Sequence, residues 1–367
     1  KILAQTYHNL NKLNLALSIY NKIVKLDDKN SDVYNNIGLI LSLKKDYKEA
    51  EKVYRKGYKL NPQNSKSYLN LLSMLEKLNK TEKMLIECQN LIKLNPNDAD
   101  LFSHLGKAFQ NLYRFEEAET AYLKAIEINP LSSKIHLNYG NLLQKLDKDS
   151  VAIKIYNKSI ELDPKQVEAY NNLGNVYRKF ELESYSEGLF KKAISIDPNF
   201  APAYFNLANI YYDHKHYEKA VYNYDYALKL DDTIDNLMGT TLFSHSKICD
   251  WTNRKDKIKN LGQKINNKEK VVTPFPVISL IDDPQIQKQN TEIYSKNFPK
   301  NFIINRSRTS KNNEKIKIGY FSPDFKKHPI AYSVSELFEN HNREEFEVHA
   351  FYFGNQTQDK EYFRIKK

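Results

Sequence analysis

Apolar and small residues recur along the first 234 residues in blocks of 34 residues. Within each block they follow the spacing of two amphipathic helices that are separated by a short polar turn. The six full blocks begin at Ser31, Ser65, Ala99, Ser133, Val167 and Ala201. Residues 1–30 carry the same pattern and form most of a seventh block. The periodicity predicts an array of helical hairpins in which each hairpin buries its apolar face against its neighbours.

Small and aromatic residues at fixed positions of the block indicate how the predicted helices pack. Most blocks have Gly or Ala at the eighth position and an aromatic residue at the twenty-fourth, so a ring of the second helix can pack on the first. A Pro near the end of most blocks stops the second helix. Block 65–98 is the exception, because Leu72, Met84 and Cys88 replace its small and aromatic residues, and we expect looser packing there. The pattern resembles the tetratricopeptide repeat, which implies a right-handed superhelix.

Asparagine recurs on one face of the predicted first helices. At the sixth and ninth positions of the blocks these residues are Asn36, Asn70, Asn138, Asn141, Asn172, Asn175, Asn206 and Asn209. Residues three apart share a helix face, so stacked hairpins would present a line of amides on the inner, concave surface. Because an amide both donates and accepts hydrogen bonds, we predict that this line binds the backbone of an extended protein substrate. The alternative is a polar face that tolerates Asn in an Asn-rich chain.

The periodicity ends after residue 234, and residues 235–314 are predicted to form capping helices and an irregular connector. Pro residues within 273–276 and at Asp283-Pro284 break the helical pattern. Trp251, the only tryptophan, is expected to be a buried anchor. The formal net charge of +11 is concentrated in this connector. Its lysines fit the solvated face of a helix, so neither a nucleic acid nor a membrane partner is predicted.

The last stretch, residues 315–367, has a different pattern. Apolar runs at 316–321 and 346–353 flank a helical pattern at 334–338, which predicts the first βαβ unit of a parallel sheet. Such a unit places its first loop, which contains His328, at the carboxyl edge of the sheet. Two strands cannot bury both faces of a sheet, so the sheet is expected to continue further along the chain.

Composition excludes several classes of site. No apolar run approaches the length of a membrane-spanning helix. Cys88 and Cys249 are isolated, so neither a disulfide framework nor a metal site is predicted, and the low cysteine content favours a cytoplasmic location. His214 and His216 fall in a predicted turn, where polar residues are expected without a metal.

The order of these parts resembles the protein O-GlcNAc transferase and SPINDLY family of glycosyltransferases. The resemblance rests on the repeats, on Cys249-Asp250-Trp251, on Pro274-Phe275-Pro276, and on the stretch SPDFKKHPIAY at residues 322–332. It implies a GT-B catalytic region of two Rossmann-like lobes, of which residues 315–367 would begin the first. It also implies inverting, metal-independent transfer of GlcNAc from UDP-GlcNAc to Ser or Thr hydroxyls of proteins that the repeats recruit.

His328 matches the histidine of the family's HP motif and is expected to be a catalytic base or a residue of the cleft. Asp324 and Tyr332 match the same motif and are expected to shape the active-site loop. The nucleotide sugar would be held mainly by a second lobe, so residues 1–367 alone are expected to be inactive, and no other cofactor is implied. Two alternatives remain: an O-fucosyltransferase that uses GDP-fucose, as in the SPINDLY branch, and a non-catalytic tetratricopeptide scaffold. Repeats of this kind also allow oligomerisation.

Overall fold

The computed structural model describes residues 2–62, 64–295, 315–322, 325, 331, 337–352 and 365. The chain forms two compact units, residues 1–297 and residues 298–367. The described part of the first unit is helical, and the described part of the second contains a pair of β-strands. In the described residues, no helix combines the length and the apolar character needed to cross a lipid bilayer.

The first unit begins with consecutive helical hairpins, which confirm the predicted helical array. An N-terminal hairpin consists of α1 (Ile2–Asn9) and α2 (Leu13–Leu26). The first helices of the next six hairpins are α3 (Ser31–Leu43), α5 (Ser65–Lys77), α7 (Ala99–Asn111), α9 (Ser133–Lys145), α11 (Val167–Lys179) and α13 (Ala201–Asp213). Their second helices are α4 (Tyr47–Leu60), α6 (Thr81–Leu94), α8 (Phe115–Ile128), α10 (Asp149–Leu162), α12 (Glu183–Ile196) and α14 (Tyr217–Leu230).

Aromatic rings of the second helices lie directly on the small residues of the first. A Cβ atom added to Gly140 would lie 2.6 Å from the ring of Tyr156, and one added to Gly174 would lie 2.6 Å from the ring of Phe190. Tyr156 is fully buried, and its hydroxyl donates to Asn141 or Gln144 of the same hairpin. A small eighth residue is therefore the steric condition for burying an aromatic twenty-fourth residue.

The hairpin of α5 and α6 departs from this arrangement. Its two helices approach each other less closely than those of the other full hairpins. However, Leu72, Met84 and Cys88 are fully buried and belong to the main hydrophobic core. The wider spacing follows from Leu72 and Met84, which are larger than the Gly and Ala of other blocks. The expectation of looser packing is therefore confirmed for the spacing of the two helices, and the larger side chains fill the space between them.

Each hairpin turn contains one non-glycine residue in the left-handed region, always fourteen residues after the start of its block. These residues are Asn11, Lys45, Asn79, Tyr113, Asp147, Glu181 and Lys215, with φ between 53° and 62°. After this residue the amide N–H of the next one bonds back to a carbonyl of the first helix, as Lys148 N–H does to Leu143 O. The turn geometry is thus the same in all hairpins although its residues differ.

The array curves toward its first helices. In the described part of the array, successive first helices from α3 to α13 contact one another, whereas no comparable contact joins successive second helices. Shorter distances on one side of a stack bend it toward that side. The free faces of the first helices therefore line the inner side of the array.

Four further helices follow the array within the first unit. They are α15 (Leu237–Lys247), α16 (Arg254–Asn266), α17 (Pro274–Leu280) and α18 (Pro284–Ser295). They share a core that includes Leu242, Leu261, Val272 and Val277. Trp251 is not part of this core, since it is 53% exposed and the guanidinium of Arg254 lies 4.7 Å from its ring centre. The prediction of a buried Trp251 is therefore wrong.

The second unit contains two parallel strands, β1 (Ile316–Ser322) and β2 (Phe346–Tyr352), paired in register from Ile316 opposite Phe346 to Ser322 opposite Tyr352. Residues 337–339 between them are helical. Phe321 and Phe351 stack at 4.4 Å between ring centres. A parallel pair requires a crossover connection. The described residues of this unit thus amount to one parallel strand pair and helical residues, which is less than a Rossmann-like lobe.

Candidate functional site

The predicted line of amides lies on the first helices, and the side chains are half-buried there. Four of them donate to the preceding hairpin. Asn70 Nδ2 lies 2.9 Å from Asn35 Oδ1, Asn138 Nδ2 lies 3.0 Å from Ser103 Oγ, Asn172 Nδ2 lies 2.7 Å from Asn141 Oδ1, and Asn206 Nδ2 lies 2.9 Å from Asn171 Oδ1. These amides therefore join neighbouring hairpins as well as facing the inner side.

The ninth-position amides have different partners. Asn141 accepts from the hydroxyl of Tyr156 at 2.8 Å, and Asn209 accepts from the hydroxyl of Tyr224 at 2.7 Å. The side chains of Asn36 and Asn175 make no hydrogen bond with any described residue. Because an amide has two donor hydrogens and an oxygen with two lone pairs, each bonded Asn also retains unused hydrogen-bonding capacity.

Fifth-position residues are a part of this surface that the sequence pattern did not single out. Asn35, Ser103 and Asn171 accept the bonds from the following hairpin. The corresponding residues of the alternate hairpins are Leu69, Leu137 and Phe205. The sequence did contain a signal for these acceptors, since polar and apolar residues alternate at the fifth position from one block to the next.

The line of amides is interrupted at the hairpin of α7 and α8, where His104 occupies the sixth position and Lys107 the ninth. Burial, and then the nearby charges of Lys134 and Lys107, lower the pKa of His104 to about 3. The imidazole is therefore neutral at physiological pH. Its Nδ1 atom is buried and has no hydrogen-bond partner.

The residues expected at a catalytic cleft, Asp324, His328 and Tyr332, lie outside the described residues. Ser322, which immediately precedes this stretch, is the last residue of β1 and is buried. Among the described residues there is no group of three or more His, Cys, Asp or Glu side chains that could hold a metal ion.

Comparison with known protein families identifies the hairpins. Sequence models of the tetratricopeptide repeat match residues 2–30, 31–64, 99–130, 121–151, 148–179 and 189–222. These segments are tetratricopeptide repeats. Residues 65–98, where Leu72, Met84 and Cys88 alter the packing, are not covered by these matches. Tetratricopeptide repeats are typical of protein-interaction scaffolds, because stacked repeats create an extended binding surface.

Solved structures with similar folds include MamA, with 21% identity, a TM-score of 0.37, and coverage of 44% of this chain and 95% of that chain. A thermophilic TPR protein of Thermus thermophilus has 19% identity, a TM-score of 0.46, and coverage of 49% and 98%. The Cut9–Hcn1 hetero-tetramer of the APC/C has 15% identity, a TM-score of 0.53, and coverage of 64% and 46%. The last similarity supports the tetratricopeptide fold alone. Comparison with curated protein sequences gave no significant match.

Proposed function

We propose that the tetratricopeptide array binds an extended polypeptide along its inner face. The observation that carries this proposal is the line of half-buried amides on successive first helices, with Asn36 and Asn175 unbonded to any described residue. Helices in contact have axes about 8–10 Å apart, and an extended chain rises about 3.3 Å per residue. Each repeat therefore spans about three residues of ligand, and successive amides can reach backbone groups at regular intervals.

Substitution of Asn175 tests this proposal without disturbing contacts between repeats. We expect Asn175→Ala to weaken binding of a pool of random peptides of about 15 residues by about fivefold, the equivalent of one hydrogen-bonded group. The thermal midpoint should not fall, since the Asn175 side chain has no hydrogen-bond partner among the described residues and Ala favours the helix. Fluorescence anisotropy with a labelled peptide pool measures the affinity.

Asn157→Ala is the matched control, because Asn157 lies exposed on a second helix and bonds only to Ile153 of its own helix. It should leave peptide affinity unchanged. The triple change of Asn138, Asn172 and Asn206 to Ala should reduce binding further, but it also removes bonds between hairpins. Equal affinities of the wild type, Asn175→Ala and the triple variant would refute the proposal.

We propose further that the array recruits protein substrates for O-glycosyl transfer in the complete protein. Support comes from the resemblance of residues 249–251, 274–276 and 322–332 to the O-GlcNAc transferase and SPINDLY family. The parallel pairing of β1 and β2 is compatible with the start of a Rossmann-like lobe. The chemistry implied by the resemblance is an attack of a Ser or Thr hydroxyl oxygen on the anomeric carbon of the sugar, which breaks the bond of that carbon to the departing nucleoside diphosphate. An imidazole such as that of His328 would take the hydroxyl proton as the base.

The complete protein, incubated with UDP-GlcNAc or GDP-fucose and a protein extract, is expected to label Ser or Thr hydroxyls with one of the two sugars. We expect His328→Ala to lower the transfer rate by at least about tenfold, the lower range for loss of a general base. His349→Ala is the control, since His349 is an exposed residue of β2 that pairs with Glu347 at 2.8 Å. Absence of transfer from either donor would exclude the enzyme and leave the scaffold function. Equal rates of the two variants would remove His328 from the catalytic residues.

A further inference from the structure

A polar cleft of about 230 Å³ opens between α5, α7 and α9, at the place where the line of amides is interrupted. Its lining comes from the second, fifth, sixth, ninth and later positions of these first helices, so it belongs to the inner side of the array. Asn138 and Ser103, which bond to each other at 3.0 Å, contribute to its wall. The cleft is therefore continuous with the candidate polypeptide-binding surface.

Cations outnumber anions in the lining of this cleft. Lys77, Lys107 and Lys134 contribute positive charges, and Glu76 and Asp100 contribute negative charges. Lys107 Nζ is paired with Glu76 Oε1 at 2.6 Å, so these two charges offset each other. Lys77 lies over the ring of Tyr47, with its Nζ 4.9 Å from the ring centre. Lys134 forms no ion pair with a described residue and is exposed in the first turn of α9.

His104 occupies the sixth position, where every other full repeat has Asn. Its ring lines the cleft, and Nδ1 is buried without a hydrogen-bond partner. A buried polar atom without a partner costs free energy, so this side chain is poorly accounted for by the packing of the repeats alone. A neutral imidazole can donate one hydrogen bond to an anion without adding a competing charge.

We infer that this cleft binds an acidic side chain, Asp or Glu, of a polypeptide that lies along the inner face. Lys77 and Lys134 supply positive charges that form no ion pair with a described residue, and they outnumber the single carboxylate of Asp100. His104 supplies a neutral polar contact, and the pair of Lys107 with Glu76 also lines the cleft. The Asn amides of the last three repeats bind backbone groups, which are the same in every polypeptide. A positively charged cleft instead selects acidic side chains. The site therefore gives the array a preference for acidic sequences. This assignment rests on the proposed polypeptide binding.

Two labelled peptides of about 12 residues, one alternating Ser and Glu and the other alternating Ser and Gln, test the cleft in the 367-residue chain. We expect the Ser-Glu peptide to bind about fivefold more tightly at low salt, as one partly exposed charge pair allows. Lys134→Glu should abolish this preference. The change should not impair folding, because an acidic residue in the first turn of α9 complements the helix dipole. Lys158→Glu on α10 makes the same change in net charge away from the inner face and should retain the preference.

The outcomes separate the cleft from the general binding function. A preference that is lost in Lys134→Glu and kept in Lys158→Glu supports the cleft. Equal affinities for the two peptides, or an equal loss in both variants, would overturn it. If the random peptide pool binds while the acidic preference is absent, the polypeptide-binding function stands and only the cleft is rejected. If neither the pool nor the two peptides bind, both proposals are rejected.

Discussion

Tyr156→Ala is expected to lower the free energy of unfolding by about 3–5 kcal/mol, the usual cost of removing a buried aromatic ring. Tyr156 is fully buried and packs on Gly140, in the middle of the array's main core. Truncation would leave a cavity between α9 and α10 and would remove the hydroxyl that bonds to Asn141 or Gln144. Tyr222→Ala is the control, because Tyr222 on α14 is 68% exposed and should change stability by about 0.5 kcal/mol or less.

Urea unfolding followed by circular dichroism measures this difference, and native-state hydrogen exchange locates it. Protection should fall first in α9 and α10, since repeats interact mainly with their nearest neighbours. Tyr156→Phe should cost only about 1 kcal/mol, because it retains the ring and loses hydrogen bonds. Phe190 already occupies this position in the next hairpin. If Tyr156→Ala lowered the free energy of unfolding as little as Tyr222→Ala does, the described packing of Tyr156 on Gly140 would be contradicted.

Gly140→Ala provides a further test of the contact between residues 140 and 156, because the sign of its effect on stability should depend on the residue at position 156. In the wild type the new methyl group would meet the Tyr156 ring at 2.6 Å and should destabilise the protein by about 1–3 kcal/mol. In Tyr156→Ala the obstruction is gone, and the helix propensity of Ala should make the same change stabilising by up to about 1 kcal/mol. Equal effects in both backgrounds would show that the two residues are not coupled.

The periodic part of this chain was predictable because its packing depends on residues at fixed intervals. Spacing alone placed Gly140 under an aromatic residue and placed Asn138 and Asn172 on one face of the first helices. The conformation of the hairpin turns was not predictable, because residues of several types occupy the same turn position. Tyr113 and Glu181 adopt left-handed turn conformations that favour Gly or Asn, and only the repeated tertiary structure holds them there.

Side-chain contacts in the helices that follow the repeats could not be predicted either. Large apolar residues are usually buried, which favours an interior Trp251, but this residue extends from the turn after α15 and packs under Arg254. His245 and Asp250 are five residues apart and would not share a face of one straight helix. Cys249, with a φ of 56°, turns the chain back so that they meet. Such a contact depends on one backbone conformation that no spacing in the sequence indicates.

His245 joins the last tetratricopeptide repeat to the capping helices. Its Nε2 lies 3.0 Å from Asp225 Oδ1 on α14, and its Nδ1 lies 2.7 Å from Asp250 Oδ2. Each carboxylate oxygen can accept a hydrogen bond from the ring nitrogen that faces it. The imidazole is buried, whereas both carboxylates are partly exposed.

Replacing His245 by Ala is expected to lower the free energy of unfolding by about 2–3 kcal/mol through the loss of two charge-assisted hydrogen bonds. Both carboxylates can be rehydrated, which limits the loss. His214→Ala is the control, since His214 in the exposed turn of the last repeat pairs with Glu183 of the preceding repeat and should contribute about 0–1 kcal/mol. Thermal unfolding followed by circular dichroism compares the two variants. An equal effect in both would show that burial of the ion pair is not important.

The pH dependence of stability tests the hydrogen bonds of Asp250, because they weaken when its carboxylate is protonated. Hydrogen bonds from Thr252, and then from His245, hold the pKa of Asp250 well below its ordinary value of about 3.9. A carboxyl group whose pKa is lowered on folding stabilises the folded state above its ordinary pKa, and this contribution is lost as the pH falls toward its value in the folded protein. The stability difference between wild type and Asp250→Asn should therefore be constant from about pH 5 to 7 and should shrink below about pH 4. A difference that persists unchanged at about pH 2 would show that hydrogen bonds from Thr252 and His245 do not stabilise the Asp250 carboxylate in the folded protein.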